Sequence, residues 1–431
     1  MKSIFMRVAA VLLIMFISVP LFSCTAVNTD PFRSDAEASD PSVVYLNYYV
    51  WTDEALYASK AIDAFNILHK DIHISLITLK ADNYENSLQQ ILNDPSKQID
   101  LFGTKGIANT IQLVDDQQMY DMTHLVESSI TDDSITIPCY GNMFNEITYN
   151  HSYYVMPTRT TCWALYYNKD LFDQAGLPYP EQLTWEEYRE LAKSLTSGSG
   201  STKVWGGYFV PWLPNFLALQ YGSYLTDDDQ QYARESIELL NSFYTDQSHL
   251  SYKNIQLSED SSTDVYTKFK AGRVAMVPQG EWMVNVLLED NTTTVNWDIA
   301  PMPIKDDMDP GTTFGQYQFI GISSSCEYPE EAFEFIKFLT GKNGATIYAQ
   351  NAIIPAYTDS EIISIYQNAV NKESAKYFFE AKKYSEQIAI SGYKDVMTSF
   401  STNAENYFAG KVSLDEAMQQ FEEERREIYH I

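Results

Sequence analysis

The chain has 431 residues, of which 45% are apolar and 20% charged. That is the composition of a globular protein of two or three domains, and it excludes a disordered chain, a collagen-like repeat and a disulfide-stapled miniprotein. Acidic residues outnumber basic ones by 58 to 29, a formal net charge of −29. Such a surface repels phosphate backbones, so nucleic acid is not among the expected partners. The 31 tyrosines and 7 tryptophans offer flat apolar faces with polar edges, which suit amphipathic ligands.

Lys2 and Arg7 precede an apolar stretch over residues 8–19, and Leu21-Phe22-Ser23-Cys24 follows. A charged start, an apolar run short of a membrane span and a small residue before a cysteine read as an export signal over 1–23. The Leu-Phe-Ser-Cys ending resembles a bacterial lipobox. That resemblance implies lipidation of Cys24 and a protein anchored on the extracytoplasmic face of the cell membrane. Residues 24–42, with Pro31, Pro41 and few large apolar side chains, read as the lipidated cysteine and a flexible tether. Beyond them stand Cys139, Cys162 and Cys326. An odd number permits one disulfide and a remaining thiol, and the spacing selects no pair.

The folded part begins with Val43-Val44-Tyr45-Leu46-Asn47-Tyr48-Tyr49-Val50, a β-rich run that predicts a buried strand. A helix with Ala58, Ile62 and Phe65 on one face comes next. A strand over 72–79, a helix over 84–92 and a short strand over 99–102 follow. This alternation predicts a parallel α/β layer. Thr184-Trp185-Glu186-Glu187 has the pattern of a capping box ahead of Tyr188, Leu191 and Leu195, and Ser413-Leu414-Asp415-Glu416 opens a C-terminal helix the same way. Between them, the Gly-Ser stretch at 197–201 reads as a loop. Residues 331–339 read as a helix with Ala332, Phe335, Ile336 and Leu339 on one face.

Catalytic signatures are missing from the sequence. There is no phosphate loop, no G-x-G-x-x-G and no G-x-S-x-G elbow. His69 and His73 stand four apart, but Lys70 follows the first where a zinc protease carries its glutamate, and the pair straddles the expected end of a helix. Asp227-Asp228-Asp229 begins no calcium loop and reads as a solvated turn. No metal, no cofactor and no enzymatic activity are therefore expected.

Met156-Pro157, Trp163 through Phe172, Ala175-Gly176-Leu177-Pro178 and the Thr184 capping box form one ordered signature. It resembles the central signature of bacterial extracellular solute-binding proteins of the sugar-binding type, similar to maltose-binding protein. Further stretches agree: Phe269 to Met276, Gly280-Glu281-Trp282, Trp297 to Pro303, Gly321-Ile322-Ser323 and Ile354-Pro355-Ala356. The resemblance covers roughly residues 43–431. It implies an α/β fold of two lobes joined by a multi-strand hinge, with a ligand cleft between them. The first lobe would take 43–157 plus 315–365, and the second 158–314 plus 366–431. It also implies a monomeric protein that captures a sugar or oligosaccharide and hands it to ABC transporter permease subunits.

Sugars present rows of hydroxyls and patches of C–H, so a site needs aromatic platforms and bidentate polar groups. In the resemblance Trp282 is the stacking tryptophan of the Gly-x-Trp segment. Trp51, Asp53 and Glu54 follow the first strand and Lys105 the third, where α/β sheets bind ligands. Arg159 lies in the first crossing between lobes, where it forks to hydroxyls or forms an interlobe salt bridge. Trp205 and Trp212 occupy a loop-like stretch of the second lobe, and Gln316 and Tyr317 lie at the second crossing. Thr161 stands where the family has an acidic residue, which argues against a maltose-type ligand. Two alternatives remain: a polyamine held by carboxylates among the aromatics, or a lipid-anchored glycosidase with paired carboxylates.

Overall fold

The run of β-branched and aromatic residues from Val44 forms an inner strand of the first of two main sheets. In chain order the strands are β1 (Val44–Trp51), β2 (Ile72–Leu79), β3 (Leu101–Lys105), β4 (Thr148–Tyr149), β5 (Ser152–Tyr153), β6 (Val155–Thr160) and β7 (Trp163–Asn168). They continue with β8 (Trp205–Gly207), β9 (Val274–Gly280), β10 (Trp297–Ala300), β11 (Thr312–Gly315), β12 (Tyr317–Ile322) and β13 (Lys382–Ser385). These elements come from a computed structural model that describes residues 40–430 apart from 142, 259–263 and 290–294. The expected signal, Cys24 and most of the tether lie outside the described residues.

The first sheet has the order β2-β1-β3-β12-β6, and the second β10-β7-β9-β8. β1 runs parallel to β2 and β3, with Val44 opposite Ile72 and Tyr48 opposite Leu101. Parallel neighbours need a crossover, and the helix Thr52–Leu68 supplies it between β1 and β2. That helix buries Tyr57, Ala58, Ala61, Ile62 and Phe65 on the expected face. β3 starts two residues later than the sequence suggests. The Asp100 carboxylate takes the Asn47 N–H at 2.8 Å, so a side chain stands in for the strand ladder there. In the second sheet β7 is antiparallel to β9 and β10, and β8 is parallel to β9.

The cap signals act as read. Thr184 and Ser413 each exchange hydrogen bonds with the glutamate three residues on, opening the helices Trp185–Leu195 and Leu414–Tyr429. His69 ends the first helix and stacks on Phe65 at 4.0 Å, while His73 lies in β2. Cys139, Cys162 and Cys326 are all free thiols.

Each main sheet has its own core. Leu46, Tyr48, Leu101, Phe102 and Phe335 belong to one; Trp163, Tyr166, Trp185, Phe209 and Phe243 belong to the other. Ile354, Ile362 and Tyr366 also pack in the second core, so the chain returns to it ahead of residue 365. The helices Tyr393–Phe408 and Leu414–Tyr429 form a third, smaller cluster with Ile237 and Ala108.

Several segments connect the two sheets, and they meet in one layer. Thr161 N–H donates to Gln316 O at 2.7 Å, and Thr161 Oγ1 accepts from Gln316 N–H at 2.8 Å. Glu386 N–H donates to Gly315 O at 2.8 Å, and Thr160 N–H to Ile354 O at 3.1 Å. Gly315 has to be glycine, because a Cβ there would stand 2.1 Å from Thr161 O. Gly315→Ala must push two crossings apart. We expect it to destabilise the protein by about 1–3 kcal/mol, the usual cost of overpacking, read as a lower urea midpoint. An unchanged midpoint would contradict this packing.

Candidate functional site

The β9 strand ends at Gly280, and Glu281 and Trp282 follow at the start of the helix Trp282–Glu289. The Trp282 ring lies against the Gly280 backbone so closely that a Cβ on residue 280 would stand 2.0 Å from it. Its edge-to-face partner is Trp163, at 5.6 Å and 88°. Its Nε1–H donates to the Tyr266 hydroxyl at 2.8 Å. Three contacts thus fix the plane of a partly exposed indole. Burial pushes the Tyr266 hydroxyl up to about 12, with the negative charges of Asp53 and Glu281 adding to the effect.

Asp53 belongs to the other lobe. It is exposed on the first turn of the helix after β1, where a negative charge suits the helix N-terminus. Its charge acts on both Tyr266 and Lys105. Lys105 donates to Ala81 O at 2.7 Å, and its ammonium lies 5.3 Å from the ring centre of Trp51. Burial lowers the Lys105 pKa, with Glu85 and Asp53 acting against it. Trp51 itself is buried in the first core, edge-on to Tyr84 at 5.3 Å. A small cavity beside them is lined by Tyr84, Gly103, Thr104, Lys105, Asn109 and Lys394.

Glu54 does not point at a ligand. It is buried, and its Oε1 accepts from the Tyr348 hydroxyl at 2.6 Å. Its Oε2 lies 3.4 Å from Arg159 Nε, at ion-pair range, while that Nε–H donates to Gln318 Oε1 at 2.7 Å. The salt bridge of Arg159 is therefore made within the first lobe. Burial works against the guanidinium charge, and Glu54 and Glu281 hold it in place.

The other expected residues separate. Trp205 pairs with Val274 at the far end of β9 from Gly280. At about 3.3 Å per residue that is roughly 20 Å away along the strand, so Trp205 does not join Trp282. It also starts strand β8 rather than lying in a loop. Trp212 is 40% exposed, on the turn before the helix Phe216–Gln220. Gln316 accepts from Gln387 Nε2 at 3.2 Å, and Gln387 Oε1 in turn accepts from Ala108 N–H at 3.0 Å. The Tyr317 ring lies 5.0 Å below the Lys383 ammonium. Trp51 and Lys105 therefore lie together in the first lobe, Asp53 acts electrostatically on Lys105 and on Tyr266, the hydrogen-bond partner of Trp282, and Arg159, Gln316 and Tyr317 lie at the crossing.

Sequence reasoning missed Tyr266, Glu281, Lys383 and Glu386. Glu281 carried a signal, since it sits inside the Gly-Glu-Trp run. Glu386 carried none: its carboxylate accepts from Trp163 Nε1–H at 2.8 Å, 223 residues away in the chain.

Residues 51–346 match the family described as bacterial extracellular solute-binding protein. A galactooligosaccharide-binding protein of Bacillus subtilis is 22% identical over 97% of this chain and 94% of its own length. Binding proteins of Brucella abortus are 21% identical over 61% of this chain; the chain spans 64% of the length of these curated relatives. Among solved structures, a sugar transporter of Rhizobium etli in an open conformation superposes with a TM-score of 0.75. It is 25% identical, over 89% of this chain and 99% of that one. The two-lobe α/β architecture is shared. By its sequence match and its fold, the chain belongs to the bacterial extracellular solute-binding protein family.

Proposed function

We propose that the protein captures a carbohydrate, and specifically an oligosaccharide, between its lobes and delivers it to the permease of an ABC transporter. The observation that carries this reading is the Trp282 platform. An indole is locked in plane by Gly280, Trp163 and Tyr266, and the charge of Asp53 on the facing lobe reaches its partner Tyr266. An aromatic face meets sugar C–H groups, and a carboxylate takes paired hydroxyls. Lys105, set over the buried Trp51, supplies a cation on the first lobe, and the exposed Trp212 offers a second platform for a longer chain. The Bacillus subtilis and Rhizobium etli relatives point to the same ligand class.

Closure follows from the crossing. The two lobes, each built on one main sheet, would rotate about the layer at Thr161, Gly315 and Glu386, burying the ligand. Lipid on Cys24 would hold a single copy at the membrane surface, with the tether to residue 42 allowing it to reach the permease. Capture without turnover needs no cofactor and no catalytic pair.

A thermal-shift panel tests the reading. Galactotriose, mannotriose and arabinotriose are set against amino acids and spermidine, and a ligand of the native cleft raises the melting temperature by mass action. We expect one oligosaccharide class to raise it, and Trp282→Ala to abolish that rise. Gly280→Ala, which displaces the same ring without removing it, should weaken binding at least tenfold. A rise with spermidine alone would replace the sugar with a polyamine.

A further inference from the structure

Glu281 sits next to the Trp282 platform but faces away from it, into the crossing. It is fully buried. Its Oε2 accepts the Cys162 N–H at 3.3 Å, and its Oε1 has no hydrogen-bond partner. Glu386 is the second buried carboxylate of the layer: its side chain holds the Trp163 indole, and its N–H holds Gly315. Lys383 donates to Thr160 Oγ1, and to Thr161 O at 3.3 Å. One layer thus carries two acids on segments from the second sheet and β13, between Arg159 on β6 and Lys383 on β13.

Resting on the reading above, that ligand is captured against Trp282, we propose that Glu281 is a positioning residue for that tryptophan, and that capture is coupled to proton uptake by Glu281 and Glu386 at the lobe crossing.

Glu281 ties the start of the Trp282 helix to the Thr161–Cys162 crossing, so its protonation state acts on both at once. The groups around it are known from every side. Arg159 on β6 and Lys383 on β13 favour its charge, and burial opposes it. Cys162, Tyr166, Tyr266 and Tyr366 lie within its electrostatic reach on the crossing, β7 and two helices. The two cations are shared with other acids: Arg159 with Glu54, and Lys383 with Glu146 and Glu386. Two cations among four carboxyls, of which Glu54, Glu281 and Glu386 are buried, do not neutralise all of them.

Burial accordingly pushes Glu281 up to about 7, and Glu386 likewise to about 7, against an ordinary value of 4.5. The sign follows. In this proposal, parting the lobes admits water to the layer and returns the carboxyls toward the ordinary range. The buried arrangement then binds protons more tightly than the opened one. Its advantage is complete below the ordinary carboxyl range and is lost as pH climbs through about 7.

Isothermal titration of the protein with galactotriose, mannotriose and arabinotriose at pH 6 and pH 8 tests this. Affinity for the saccharide that binds should fall about tenfold per titrating carboxyl across that range. Glu281→Gln should remove one such factor, and Glu281→Gln with Glu386→Gln should leave the affinity flat. Titration of the unaltered protein at pH 7 in two buffers of different ionisation heat should show uptake of about half a proton per carboxyl. This readout stands even if the variants fail to fold. Equal affinity at both pH values with no proton uptake would overturn the inference and leave sugar capture intact. No binding of any saccharide at either pH would overturn the capture reading on which it rests.

Discussion

The close packing of chain crossings between the two sheets is the constraint on which the rest of the molecule depends. Thr161 and Gln316 bond each other reciprocally, and Gly315 lies against Thr161 where no side chain fits. Glu386 closes the layer from the far side. Short extended segments of this kind resist stretching along their length but permit rotation, which is what a hinge between rigid bodies requires. Each body keeps its own core, so closure costs little internal repacking.

Around that layer the protein spends polar groups in two ways. On the cleft side they are arranged for display. Trp282 is fixed by three contacts, and Asp53 stays exposed on a helix end. Inside, they are arranged for structure. Glu54 accepts from Tyr348 and pairs with Arg159, which donates to Gln318, while Glu54 Oε2 keeps only the ion-pair contact. Removing one member of such a buried pair is expensive because it strands the other's charge. Glu281 belongs to both groups, since it is bonded to the crossing by its carboxylate and to the platform by its backbone.

What was legible in the sequence was local. The helix after β1, the strand over 72–79 and both capping boxes depend on neighbouring residues, and they stand where the pattern put them. The ordered signature from Met156 to Glu187 carried the two-lobe fold. Non-local outcomes were not legible. Trp205 becomes an edge strand only because β9 offers it a parallel partner, which also carries it away from the cleft. Glu54 follows Asp53 directly, yet one is exposed and the other is buried against Arg159. That choice depends on helix phase and on a partner far along the chain. Glu386 and Lys383 lie in no recognisable pattern, and only the folded crossing brings them to Trp163 and Thr160.

The central claim is that a saccharide is held between lobes that rotate about this crossing. Small-angle X-ray scattering tests it most directly, on the protein alone and saturated with galactotriose, mannotriose or arabinotriose, whichever binds. The account predicts a smaller radius of gyration with the saccharide, and no change when Trp282→Ala removes the platform. A saccharide that binds while leaving the radius of gyration of the native protein unchanged would contradict it.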